Sequence, residues 1–282
     1  LKFIKQLLIL VCLPLIMSGC DQKNSSEDII KIAAPVEHEI IEKHSSLDQE
    51  TLLNQGIINL KADNVEKAIE ILENYTTYYP HNSVGQFYLG KAYLNNMRYE
   101  DAIKTFRKTL MLDESETQAF LYIGQAYEKM GQRKSAIKYL YKYLIAESGS
   151  LDTKKISGEI NDLAEPVIGK DIIGRVFVTN EVIKEKNLAL KPMTCFESAV
   201  PEIYGSLEII DAPANTEIEV KWRFLLKNDK KMEINSHFFT VQGTKNALAL
   251  IKKPVPNWIP GEYELEILVD GEKNTNLNFY IF

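Results

Sequence analysis

The sequence predicts an α+β multidomain chain: an all-α helical solenoid of three repeats with a capping helix, followed by an all-β sandwich. Three observations carry this. Gly56, Gly90 and Gly124 stand 34 residues apart, and Ala68, Ala102 and Ala136 follow them with the same period. Past Pro166 the helical period gives way to alternation rich in valine, isoleucine, threonine and aromatic residues. Ahead of both, a basic start and an apolar run end at Cys20. An internal period of 20–50 residues marks a repeat architecture, which decides the fold before any single element does.

The chain has 282 residues, with 45% hydrophobic and 26% charged content and a formal net charge of −6. That composition belongs to a folded chain long enough for two domains. Its acidity argues against a nucleic-acid partner, which calls for a basic face. The three cysteines, Cys12, Cys20 and Cys195, are too scattered for a disulfide framework or a zinc site. No metal and no other cofactor is predicted.

Residues 1–19 read as an export signal. Lys2 and Lys5 supply the positive start, and the apolar run over 7–17 is eleven residues long. A spanning helix needs roughly 20 residues, so the pattern fits a cleaved leader. Met17-Ser18-Gly19-Cys20 resembles the bacterial lipobox, with methionine where leucine is usual. The resemblance implies a diacylglyceryl thioether on Cys20 and a further acyl chain, such as palmitate, on its new amine. It thereby implies a lipid-anchored, periplasm-facing place in a bacterial cell envelope. Asp21 resembles the inner-membrane retention signal of enteric bacteria. Residues 20–47 read as the lipidated cysteine and a flexible tether, carrying the exposed histidines His38 and His44.

Residues 48–166 hold the repeat, in units of about 49–82, 83–116 and 117–150. Four residues after each alanine comes a large apolar side chain, Leu72, Phe106 or Leu140. Glycine and alanine let two antiparallel helices approach, and the large residue fills the gap beside them. Asn95-Asn96 and Gly131 end first helices. A single unit cannot bury its apolar face, so the units stack. Ile156, Ile160 and Leu163 recur at helical spacing, with Ser150 or Asp152 as N-cap and Pro166 as stop, and predict a capping helix over 152–165.

Leu89-Gly90, Tyr93, Ala102 and Phe106, then Ile123-Gly124, Tyr127, Ala136 and Leu140, resemble the tetratricopeptide repeat (TPR). In that family the first helix of each unit lines a concave groove that takes peptides. The resemblance implies groove residues Phe87, Tyr88, Lys91 and Asn95 in the second unit, and Leu121, Tyr122, Gln125 and Lys129 in the third. Two tyrosines, two lysines and two amides suit a peptide backbone with an acidic side chain. The family's carboxylate clamp is not reproduced, because Lys91 stands where its inward asparagine belongs. The Tyr139-Leu140-Tyr141-Lys142-Tyr143 run reads as helix packing.

Over 170–282 seven short strands are predicted, at 176–179, 203–210, 218–226, 231–241, 248–252, 263–269 and 276–281. Ala212-Pro213-Ala214-Asn215, Asn228-Asp229, Pro260-Gly261 and Asp270-Gly271 read as turns. Trp222 is the expected core anchor. Pro201-Glu202-Ile203-Tyr204, Trp222 and Trp258-x-Pro260-Gly261-x-Tyr263 resemble an immunoglobulin-like module of bacterial envelope proteins. Trp258 and Tyr263 are expected to cover the sandwich end; an exposed sugar-binding edge formed with Pro260 is the alternative.

Catalysis finds no motif. His81, in an inter-repeat turn, and the strand-borne His237 have no nucleophile partner, Cys195 reads as a buried thiol, and Glu264 and Glu266 read as the solvated face of a strand. The expected function is that of a non-enzymatic envelope lipoprotein scaffold, binding a protein or peptide partner through the groove and a membrane through Cys20. Such architecture resembles the TPR lipoproteins that help build pili, secretion machines or cell-wall complexes. The alternative is a carbohydrate- or peptidoglycan-binding module carried by the sandwich.

Overall fold

The structure is a computed structural model that describes residues 49–147, 152–186, 188–228 and 230–282. The expected signal peptide, Cys20, Asp21, the tether with its two histidines, and Ser150 lie outside the described residues.

The first part is helical. After α1 (49–61) come α2 (Val65–Tyr78), α3 (Ser83–Asn95), α4 (Tyr99–Leu112), α5 (Gln118–Lys129), α6 (Arg133–Ala146) and α7 (Thr153–Asp162). The repeat glycines act as contact points. A Cβ on Gly56, Gly90 or Gly124 would meet Leu72 at 2.6 Å, Phe106 at 2.8 Å or Leu140 at 2.7 Å. Those partners, with Ala68, Ala102 and Ala136, are fully buried. Each unit's two helices thus close on a side chain that only a bare Cα admits.

The turn between the two helices repeats as closely as the contacts do. Arg98 N donates to Tyr93 O at 2.9 Å, and Gln132 N to Tyr127 O at 2.9 Å, the long bond of a Schellman cap. The residue before each donor is left-handed: Met97 at φ 60°, Gly131 at φ 70°, and Asp63 at φ 62° in the first unit. Glycine occupies this position only in the third unit. Asn82 caps α3, its side chain accepting from Gly85 N at 2.7 Å.

The predicted capping helix is α7, which buries Ile156 and Ile160. Asp152 precedes it without a side-chain capping bond. Gly158 stands 34 residues after Gly124, so α7 is the first helix of a truncated fourth unit. Nothing lies within 4 Å of a Cβ built on Gly158. Ser157 and Gly158 occupy the positions of Leu89 and Gly90, and this small, polar face ends the stack.

The second part is a sheet: β1 (Val167–Ile168), β2 (Ile173–Thr179), β3 (Val182–Ile183), β4 (Leu188–Ala189), β5 (Cys195–Phe196), β6 (Glu202–Leu225), β7 (Lys231–Lys252), β8 (Gly261–Val269) and β9 (Glu272–Ile281). Seven strands hydrogen-bond in the order β1-β2-β6-β8-β9-β5, with β7 also beside β6, while β3 and β4 form a separate ribbon. The predicted strands 203–210 and 218–226 are two halves of β6, and 231–241 and 248–252 are two halves of β7. The predicted turn at Ala212 to Asn215 is a corner inside β6. There the register slips twice, Asp211 and Asn215 take φ 49° and 66°, and Gly243 opposite takes φ 70°. Bulges of this kind bend a strand without ending its pairing. The first half of β6 therefore pairs with β2 and the second with β8.

The strands thus make a curled half-barrel, where the sequence predicted an immunoglobulin-like sandwich of two stacked sheets. The parallel pairing of β5 with β9 is a second departure. Trp222 is fully buried, as expected of a core anchor, edge-on to Phe279 at 5.9 Å. Asp270 and Gly271 form the predicted hairpin turn, both at positive φ.

Glu264 and Glu266 correct another expectation: they are only 3% and 5% exposed. Arg223 reaches Glu266 at 2.6 Å and Glu264 at 3.4 Å, Lys231 reaches Glu264 at 2.8 Å, and Lys273 reaches Glu266 at 3.1 Å. Alternation placed these carboxylates away from the apolar core. Long basic side chains from neighbouring strands then lie across them and exclude water.

Residues Gln55–Phe282 form one compact unit. Tyr141 of α6 lies 4.4 Å from Tyr280 of β9, ring to ring, and its hydroxyl donates to Ile281 O at 2.9 Å. The Asn161 side chain accepts from Thr194 N and Cys195 N at 2.9 and 2.8 Å and donates to Cys195 O at 3.0 Å. One amide from α7 thereby ties down the edge strand β5.

Two glycines in first helices test the packing argument. Gly124→Ala is expected to destabilise the chain by about 1–3 kcal/mol through overpacking against Leu140, partly offset by a helix-propensity gain of about 1 kcal/mol. Gly158→Ala, where space is open, is expected to stabilise by about 1 kcal/mol. Urea unfolding of the two variants checks the opposite signs.

Candidate functional site

On α3 and α5 the eight sequence candidates meet three different fates. Phe87 is buried, packed against Phe106 at 5.8 Å and Tyr122 at 5.7 Å. Leu121 packs, half-buried, against the cluster that holds Leu140 and Tyr141. Both therefore serve helix packing.

Tyr88, Lys91 and Tyr122 form a second group. The Lys91 ammonium lies 5.2 Å from the Tyr122 ring centre and 5.7 Å from those of both Tyr88 and Phe87. Tyr122 itself stacks on Phe106 at 5.4 Å with 15° between ring planes, which holds the platform in place. Each such cation–ring contact contributes on the order of 0.5–1 kcal/mol at an exposed site. Lys91 is in no ion pair among the described residues. Burial is the first cause that raises the Glu116 carboxyl above its ordinary range, and nearby Asp113 adds to it; Lys91 acts in the opposite sense.

Asn95, Gln125 and Lys129 form the third group. They line a cleft of about 520 Å³ together with Leu94, Met97, Tyr99, Glu128 and Glu159. The sequence reading missed Leu94, Met97, Tyr99, Glu128 and Glu159. For Glu159 a signal existed: it stands 34 residues after Gln125, as Gln125 does after Lys91. For Met97 there was none, because its place follows from a left-handed turn that glycine marks only in the third unit.

Between units, the second helix of one reaches the first helix of the next. Tyr93 Oη donates to Glu73 Oε1 at 2.7 Å, and burial followed by that bond holds its phenol well above the usual range. One unit on, Arg107 donates to Tyr127 Oη at 2.8 Å. The geometry repeats while the charge of the partner is reversed.

Elsewhere, the aromatic edge is closed. Trp258 and Tyr263 are 2% and 3% exposed; the indole donates to Val200 O at 2.8 Å and the phenol to Ile259 O at 2.7 Å. They cover the end of the core, as the sequence analysis expected. Burial pushes the Cys195 thiol far above its ordinary pKa, which suits a packed side chain. His237 Nε2 lies 2.6 Å from Leu250 O, a satisfied sheet histidine.

Comparison with known proteins settles the nature of the helices. The sequence model of the tetratricopeptide repeat matches residues 50–82, 85–110 and 118–146. The helical part is a TPR solenoid. Solved structures similar to that part include three proteins. The TPR domain of Arabidopsis OM64 is 18% identical, with 40% of this chain and 94% of that one covered and a TM-score of 0.38. The translocator chaperone SycD of Yersinia enterocolitica type III secretion is 14% identical, covering 40% and 81%, with a TM-score of 0.39. The first TPR of Spaghetti (RPAP3), bound to an HSP90 peptide, is 19% identical, covering 41% and 89%, with a TM-score of 0.38. No curated protein matches the chain.

Met97 borders the cleft, is 74% exposed and holds a left-handed backbone. Met97→Gly is expected to stabilise the TPR solenoid by about 1 kcal/mol, because the left-handed penalty of an L side chain exceeds the entropy that glycine adds to the unfolded chain. Thermal unfolding of the variant checks this.

Proposed function

We propose that this chain is a non-enzymatic, membrane-anchored envelope lipoprotein that scaffolds protein assembly, docking a peptide segment of its partner in the TPR groove. One observation carries the docking reading: a cation held by aromatic rings opens beside a cleft lined by amides, on the face of the solenoid that first helices share. Rigid rings lose little freedom when a peptide lies on them, and unpaired polar groups orient its backbone. The β region in this reading is a support, joined to the last repeat through Tyr141 and Asn161 so that the groove keeps a constant attitude to whatever carries it.

The anchor rests on the Met17-Ser18-Gly19-Cys20 sequence and on the basic, apolar leader before it. Two or more acyl chains on Cys20 would hold the protein stably, since a single chain binds a bilayer only marginally. The site of action is then the bacterial envelope, periplasm-facing, with a pilus, secretion or cell-wall complex as the assembly served. Trp258 and Tyr263 are buried, so they do not offer the exposed edge that the sugar-binding alternative would use.

Crosslinking in the native envelope tests docking. Protein partners are expected on the wild type, with recovery lowered about tenfold or more by Lys91→Glu; recovery of glycan strands alone, unchanged by that substitution, would overturn the reading. Metabolic labelling with a fatty acid tests the anchor separately. Incorporation is expected to vanish in Cys20→Ala, and undiminished labelling would rule the anchor out.

A further inference from the structure

Three first helices contribute one equivalent position each to the groove face. Lys91, Gln125 and Glu159 are spaced by the 34-residue period, on α3, α5 and α7. The series runs from cation to amide to carboxylate. At its basic end Lys91 is held by three aromatic rings and is in no ion pair among the described residues. Glu116 acts on it through the field alone. At the other end Glu159 is paired, among the described residues, only with Lys155 on its own helix, at 3.9 Å, with side chains 36% and 74% exposed. So long a pair at the surface contributes next to nothing. Glu128 and Lys129 are adjacent in sequence and offset one another's charge, which leaves Glu159 to set the sign of the cleft. Leu94, Met97 and Tyr99 add apolar lining to the cleft that holds Glu159.

From this series we infer that the groove is polar along its length and takes an extended peptide carrying an acidic residue at Lys91 and a basic residue at Glu159, with apolar residues between. The inference rests on the docking reading and adds the register and the direction. Directly packed helices lie about 9 Å apart, so across three first helices the two ends are separated by at least about 18 Å. An extended chain advances about 3.3 Å per residue, which puts the acidic and basic residues about five to seven positions apart. A long basic side chain suits the cleft because its aliphatic stem lies on Met97 and Tyr99 while its head meets the carboxylate. Complementary charges of this kind select orientation and exclude reversed partners more than they add affinity.

The test uses the full chain, immobilised in mild detergent, and a displayed library of random 16-residue peptides. Peptides enriched on the wild type are expected to carry an acid and a base five to seven positions apart, always in one order. On the double variant Lys91→Glu with Glu159→Lys the order should reverse. By fluorescence anisotropy, a wild-type-selected peptide should lose about tenfold in affinity for the double variant and regain it when its own two charges are exchanged. Both positions are partly exposed, and circular dichroism confirms that the variant folds. Enriched peptides that Gln125→Arg displaces but that show no fixed charge order, the same order on both proteins, or a spacing near twelve as in a helix, would overturn this inference while leaving the docking reading in place. Peptides indifferent to Gln125→Arg, or no enrichment at all, would overturn the docking reading itself.

Discussion

The close approach of two helices at a bare Cα is the contact on which the rest of the structure depends. At Gly56, Gly90 and Gly124 the facing side chain sits where a Cβ would be. The space between the two helices of a unit is thereby closed by a single residue, and the same residue faces the next unit. Phe106 shows the consequence. It fills the gap beside Gly90, and Tyr122 of the next unit stacks on it, carrying one wall of the Lys91 site. The groove face is in this sense a by-product of the packing behind it. A side chain added at the glycine would move the ring platform before it reached the ammonium.

The second constraint is the junction with the sheet. A solenoid end exposes apolar surface that needs a cover. Here α7 presents Ile156 and Ile160 inward, and β5 and β9 present Cys195 and Tyr280 to the same cluster. Asn161, at the position that tyrosine holds in the second and third units, spends its side chain on the backbone of β5. The stack therefore ends by hydrogen-bonding to a strand edge, which removes an aggregation-prone edge and a frayed helix together. Residues 55–282 form one compact unit, in which the cluster of Leu140, Tyr141, Ile156, Ile160, Cys195 and Tyr280 joins the last helices to the half-barrel.

How much of this was legible beforehand depends on the range of the interaction. The repeat was legible because it is a matter of period along the chain, and in the structure Gly56, Gly90 and Gly124 stand at helix contacts with that same period. The hairpin at Asp270-Gly271 was read for the same reason. Ala212 to Asn215 was misread as a turn, since a bulged corner and a chain reversal use the same residues; only the pairing of β7 with both halves of β6 distinguishes them. Of the groove candidates, Phe87 and Leu121 went to helix packing, whereas Glu159 joined the cleft from a helix whose fourth-unit character had been overlooked.

By itself the sequence determined the helices, their period, the residues at which they touch and the strands' inner face, because these follow from side-chain spacing on one element. Only the tertiary structure decided that the sheet curls on itself, that Glu264 and Glu266 are sealed under Arg223, Lys231 and Lys273, and that Met97 and Glu159 share a cleft with Asn95 and Gln125. The physical reason is that burial of a charge, and the meeting of residues sixty positions apart, are properties of the neighbouring element. No local pattern records them.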